Sequence, residues 1–405
     1  MTAAFLVVLG AGLAIRLYLA ARQMRHVAAH RDAVPAAFEN RIGLDAHRKA
    51  ADYTIARTRF GIVRAIAGAI LLLIWTLGGG IELLASLVGA QGIGGGTLFL
   101  LIAFLVSAIP LLPFDLYRTF VIEERFGFNR TSGKLFVLDM VKGVLLGGAI
   151  GAPLAAGALW ILAHGGTWWW IWLWVAYLAF SFFFAWAWPT FLAPIFFKFT
   201  PLPDGELKER VRDLLDRTGY DNDGIFIMDG SRRSAHANAF FAGLGKRKRV
   251  VLFDTLCEML QTDELESVLA HEIGHAKLRH IRQRIVAGAI QTLLVLGLFA
   301  WLRDQPWFQA GLGVQEATDA TALLLLLWVG PVFAFPIGPL WSYWSRVHEY
   351  EADAYARDET SADALARALV RLYETNASTL TPDPLHSAYY DSHPPAALRL
   401  GRLET

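Results

Sequence analysis

Leu269-Ala270-His271-Glu272-Ile273-Gly274-His275-Ala276-Lys277 is followed within a few residues by the apolar run 284–302. Read as a helix from about Asp263, with Thr262 as cap and Glu264 and Glu266 in the first turn, the stretch puts His271 and His275 on one face. Two imidazoles one turn apart can grip a single Zn²⁺. Glu272, beside the first of them, is placed to act as a base toward water at that site. The run behind it is long enough to cross a bilayer, so a metal-binding helix is predicted at the mouth of a membrane span.

Composition agrees. The chain has 405 residues, 55% hydrophobic and 18% charged, where soluble domains carry about 25% charged residues. Mean hydropathy is +0.40. This argues against a cytosolic enzyme and against a disordered chain. With 37 basic and 36 acidic residues the net charge is +1, which gives nucleic acid nothing to bind. Cys257 is the single cysteine, so no intramolecular disulfide or cysteine metal cluster can form.

Seven apolar stretches are long enough to span: 3–21, 62–80, 97–116, 137–162, 168–193, 284–302 and 320–344. The first lacks a basic n-region and contains Arg16, which reads as a retained span rather than a cleaved signal. Lys and Arg crowd the loops 22–61 and 117–135, whereas 81–96 and 163–167 have none and 303–319 has only Arg303. The expected topology places the N-terminus outside, with 22–61, 117–135, 194–283 and 345–405 in the cytoplasm. Trp168, Trp169, Trp170, Trp172 and Trp174 read as an interfacial belt at the outer end of span five. Asp139 and Lys142, at the start of span four, fit either interfacial anchors or the lining of a watery cavity.

The expected organisation is spans one to five over 1–193, a cytoplasmic α+β lobe over 194–283, spans six and seven over 284–344, and a helical tail over 345–405. Pro194, Pro201 and Pro203 punctuate the exit from span five. Asp204 to Arg217 reads as an amphipathic helix with Leu207, Val211, Leu214 and Leu215 on one face. Gly224 to Met228 reads as a strand. Ala237–Phe241 and Arg249–Phe253 read as a hairpin turning around Gly243-Leu244-Gly245.

A catalytic zinc wants a third protein ligand. The pattern with a last His three residues past a Gly fails, because Leu278 and Ile281 occupy those places, and His280 is expected on a different face. A second helix offers Arg346-Val347-His348-Glu349-Tyr350-Glu351-Ala352-Asp353. Glu349 and Asp353 share a face, with Glu349 as ligand and Asp353 as acceptor for the far nitrogen of a ligating His. Glu351 lies about 200° around that helix and competes for the ligand role. His348 is a further rival.

Taken together, His271-Glu272-Ile273-Gly274-His275, the segment Ser345–Ala356 and Ser392-His393-Pro394-Pro395 through Leu400 resemble the type I CAAX prenyl protease family of integral-membrane zinc metallopeptidases. Phe120–Asn129 and Ser234–Leu256 resemble that family as well. The resemblance implies an α-helical polytopic membrane protein, seven transmembrane helices enclosing a chamber, with a small cytoplasmic α+β gluzincin-like zinc protease lobe. It implies one Zn²⁺ per chain on His271, His275 and Glu349, with Glu272 as general base and Asp353 behind a ligand. It implies His393 as oxyanion stabiliser, and Asn238, Ala239 and Arg399 as substrate-binding residues, Asn238-Ala239 being the edge strand that a peptide joins.

The function expected is hydrolysis of peptide bonds in membrane-associated or CAAX-like substrates, prenylated or not. The Ala-, Gly- and Arg-rich composition points to a bacterial inner membrane with the active site facing the cytoplasm. The contrasting reading is a non-catalytic binder or transporter of hydrophobic or lipidated clients. Intact Glu272 weighs against it, since a binder needs no base between two ligands. Pro331, Pro336 and Pro339 interrupt span seven, but no other span mirrors them as a paired transporter would.

Overall fold

The computed structural model describes residues 1–220, 224–242 and 249–404. Among these, seven helices are long and apolar enough to cross a membrane: Thr2–Ala29, Leu44–Trp75, Gly92–Glu123, Gly133–His164, Gly166–Phe196, His280–Arg303 and Asp319–Glu359. Each overlaps one predicted span and most extend beyond it. Span two is the exception, expected to residue 80. Its helix stops at Trp75, where the chain turns through Gly79 at φ 78°, a conformation in which glycine is unstrained.

Two of the crowded tryptophans have internal work. Trp169 is buried against Phe299, and Trp174 Nε1 donates to the Ala289 carbonyl at 2.9 Å, tying span five to span six. Trp168 and Trp172 stay exposed, as a belt requires. Asp139 is paired rather than free. It accepts two hydrogen bonds from Arg233, at 2.8 and 3.0 Å, and so ties span four to the lobe. Lys142 Nζ donates to the Ile195 carbonyl at 2.7 Å.

The lobe is built on a four-stranded sheet in the order β1-β2-β4-β3: β1 (Phe199–Pro201), β2 (Ile225–Met228), β3 (Ala239–Ala242) and β4 (Arg249–Phe253). β2 and β4 run parallel, Phe226 facing Val251, and the outer pairs are antiparallel. The β3–β4 hairpin matches the sequence expectation, and its expected turn at Gly243-Leu244-Gly245 lies outside the described residues. β1 was not foreseen, being three residues long and bounded by prolines.

One apolar core joins segments that are far apart in sequence. It takes Phe38 and Ile42 from the first basic loop, and Val211, Leu214 and Leu215 from the amphipathic helix. It also takes Val250 and Leu252 from β4, Leu265, Leu269 and Ile273 from the motif helix, and Leu365, Leu369, Leu400 and Leu403 from the tail. The lobe and the tail are thus halves of one packed unit. Loop 117–135 is fastened to it by the bridge between Asn129 and Ser234.

Candidate metal centre

The motif helix runs Thr262–Lys277. Its cap is Gln261, one residue before the predicted Thr262, because Gln261 and Glu264 close a reciprocal capping box. Glu264 is fully buried and accepts from Arg371 Nε at 3.0 Å, so the start of the helix is anchored to the tail. Against the motif helix packs the C-terminal part of the Asp319–Glu359 helix. Gly274 makes that approach possible: a Cβ there would sit 3.1 Å from Tyr355 Cβ and 3.2 Å from Ala352 Cα. This Gly–Ala contact sets the separation at which Glu349 meets the two histidines.

The donor atoms of His271, His275 and Glu349 converge. The two Nε2 atoms are 3.3 Å apart. Glu349 Oε2 lies 3.4 Å from His271 Nε2, and Oε1 lies 3.3 Å from His275 Nε2. Four ligands placed tetrahedrally at zinc–ligand distances of 2.0–2.1 Å would be about 3.3–3.4 Å from one another. Glu349 Oε2 is buried and makes no well-directed hydrogen bond among the described residues. A nitrogen, nitrogen, oxygen donor set at this spacing, on buried or partly buried side chains, fits zinc.

Asp353 lies behind His271, its Oδ1 2.9 Å from Nδ1. Burial alone would lower the His271 imidazole, but hydrogen bonding with Asp353 and Glu349 raises it to about 9. Arg399 was grouped with the substrate-binding residues, and the structure places it elsewhere. It is buried and donates to both oxygens of Asp353, at 2.8 and 2.5 Å. Nε and Nη2 are engaged by Asp353, and Nη1 lies 3.7 Å from Glu349 Oε2. Glu272 is partly exposed beside His271.

His393 Nδ1 is 2.7 Å from Glu349 Oε2, yet most of its side chain is exposed. It lines an open, polar cavity of about 550 Å³, together with Tyr53, Arg57, Asn376, Asp391 and Ser392. Among the described residues β3 is an edge strand of the sheet, and it packs against the motif helix. Asn238 is exposed at its head, with its carbonyl accepting from Phe253 N at 3.0 Å. Asn376, which the sequence reading missed, pins the entry to this strand by accepting from Ala237 N at 3.0 Å. No local motif marks Asn376, since its partner is 139 residues away.

His280 is a correction. It was expected on a different face, yet its Nδ1 is 3.0 Å from His275 Nδ1. The expectation assumed one continuous helix. Arg279 at φ 63° breaks it between Lys277 and His280 and redirects the chain. Glu351, the rival ligand, lies outside the donor triangle and accepts from His280 Nε2 at 2.8 Å. His348, the other rival, stacks on His280 at 4.0 Å.

A membrane-spanning helical body with a His-His-Glu site at the edge of a small α+β lobe defines an integral-membrane metallopeptidase. Residues 23–198 match the family described as CAAX prenyl protease N-terminal, five membrane helices, and residues 201–405 match Peptidase family M48. The chain belongs to the zinc-dependent M48 metallopeptidases of the CAAX prenyl protease type. It is 38% identical over 322 residues to CAAX prenyl protease 1 of Saccharomyces cerevisiae, spanning 74% of this chain and 70% of that one. It is 30% identical over 440 residues to CAAX prenyl protease 1 homolog of Mus musculus, spanning 96% and 92%. The crystal structure of S. mikatae Ste24p superposes over 98% of both chains, with a TM-score of 0.90 and 33% identity.

Proposed function

We propose that this peptidase holds one zinc ion per chain on His271, His275 and Glu349, and that Glu272 is its general base. The observation carrying this reading is the convergence of the two Nε2 atoms, 3.3 Å apart, with one Glu349 carboxylate oxygen 3.3–3.4 Å from each. Zinc, when bound there, supplies Lewis acidity that activates water and polarises the scissile carbonyl. Glu272 accepts the proton of the attacking water and returns it to the leaving amine. His393, exposed to the cavity beside Glu349, donates to the oxygen on which charge develops. The peptide adds to the free edge of β3, and Asn238 holds its backbone. Asp353 fixes the orientation of His271, and Arg399 fixes Asp353.

The substrates are peptides or proteins at the membrane, with CAAX-like C-termini, prenylated or not. The relatives are named for action on prenylated CAAX proteins and come from eukaryotes. The composition of this chain instead suggests a bacterial inner membrane, where prenylated clients are not expected. The basic loops support a cytoplasmic active site. Functionally we divide the chain into 1–193, 194–283, 284–344 and 345–405, the second and fourth segments jointly forming the centre.

Cleavage by detergent-purified protein of matched farnesylated and unmodified CAAX peptides, followed by mass spectrometry, tests the substrate class. Cleavage of both supports a peptide-reading site. Cleavage of neither, in zinc-loaded protein, would overturn the CAAX assignment.

A further inference from the structure

The far side of His275 has its own support. His275 Nδ1 faces His280 Nδ1 at 3.0 Å, and His280 Nε2 faces Glu351 Oε2 at 2.8 Å. His280 is 1% exposed. Its ring is clamped against that of His348, with centroids 4.0 Å apart and planes within 5°. His348 is itself held by a contact from Nε2 to Gln283 Oε1 at 3.0 Å.

These distances leave one consistent arrangement of protons. For His275 to offer the Nε2 lone pair to a metal, its Nδ1 must carry the hydrogen. That hydrogen points at His280 Nδ1, which must therefore be the unprotonated nitrogen. His280 then carries its hydrogen on Nε2 and donates it to the Glu351 carboxylate, an acceptor when ionised.

The same four groups do not make a second metal site. A metal lies in the plane of an imidazole that binds it, and two parallel rings stacked 4.0 Å apart have no common plane in which both could point at one ion.

We infer that His280, backed by Glu351, is a positioning residue that sets the tautomer and ring orientation of His275. It is the counterpart of Asp353 and Arg399 behind His271. Each ligating histidine thus has its own support, one ionic and buried, the other a histidine relay ending on a half-exposed carboxylate. The inference rests on His275 being a zinc ligand.

The test is zinc affinity of the full chain in detergent, measured by competition with a chromophoric chelator, plus the visible spectrum of the cobalt-loaded protein. Removing partners that orient ligating histidines in this way typically costs about 10–100-fold in metal affinity. His280→Ala should weaken zinc by an amount in that range and shift the cobalt bands. His280→Asn, whose amide oxygen can accept from His275 Nδ1, should recover part of the loss. Glu351→Ala, at a half-exposed position that folding tolerates, should weaken zinc by less than His280→Ala, and Glu351→Gln by less again because it keeps an acceptor oxygen.

Zinc binding by His280→Ala equal to wild type would overturn the inference. So would equal losses in His280→Ala and His280→Asn accompanied by a lower unfolding temperature of the metal-free protein, since that pattern belongs to packing alone. Wild type with no measurable zinc affinity would instead bring down the ligand assignment itself, which His275→Ala checks separately.

Discussion

Arg399 donates from Nε and Nη2 to both carboxylate oxygens of Asp353, and the pair is sealed inside the protein, 46 residues apart in sequence. The fork geometry matters because a planar guanidinium can satisfy both oxygens at once. Asp353 keeps Oδ1 within reach of His271 Nδ1. The tail helix Ala396–Leu403 therefore completes the centre from the far end of the chain.

Removing Arg399 leaves a buried carboxylate without its partner, a change that costs about 3–5 kcal/mol in comparable buried pairs. Arg399→Ala is expected to lower the unfolding temperature sharply and to weaken zinc binding. Arg399→Lys is expected to recover only part of either, because a point charge cannot make the fork. Calorimetry and chelator competition on the two variants check this. Wild-type behaviour of Arg399→Lys would contradict the bidentate role.

Gly274 sets how closely the two helices of the centre approach. Gly274→Val places methyl groups where Ala352 and Tyr355 already sit. Such overpacking costs about 1–3 kcal/mol. Because the strain falls between His271 and Glu349, zinc affinity should drop more than a surface valine on the same helix would cause. The comparison with Lys277→Val, exposed in the last turn of the helix, makes the distinction.

Cys257 is half-buried against the lobe core, and burial, reinforced by Asp254 and Glu258, pushes its thiol up to about 11. At pH 8 the thiolate is then about one-thousandth of the total, and thiolate is the reactive form. Folded protein should resist a thiol reagent at pH 8, and react quickly once denatured. Fast labelling of the folded chain at pH 8 would contradict this placement.

Asp383 is held below the usual carboxylate range, first by its hydrogen bonds from Arg22 and then by the His386 backbone N–H. A carboxyl with a depressed folded pKa contributes stability above its unfolded value, about 3.9, and loses it as pH falls through the folded value. Unfolding temperature should therefore carry this contribution from pH 7 down to about 5. The difference between wild type and Asp383→Asn should shrink only in strong acid. A difference that vanishes already at pH 6 would contradict the assignment.

Much of the centre was legible because its chemistry is local. His271, Glu272 and His275 are fixed by helix periodicity, and Glu349 with Asp353 by the same periodicity on a second helix. The seven spans and the β3–β4 hairpin follow from apolar length and alternation. What was not legible depends on long-range placement or on one backbone angle. Arg399 was grouped with the substrate-binding residues because its partner, Asp353, lies 46 residues away. His280 was misplaced because nothing in the local sequence announces the left-handed Arg279. Asp139 read as a membrane group because its partner, Arg233, lies 94 residues further on.

The central claim is that the His271–His275–Glu349 triangle holds zinc and that Glu272 does the proton transfer. The most direct measurement compares wild type with Glu272→Gln for bound zinc by elemental analysis and for peptide cleavage on the same preparations. The expected result is about one zinc per chain in both, with cleavage in wild type alone. Cleavage that survives Glu272→Gln, or wild type purified without zinc and unable to take it up, would contradict it.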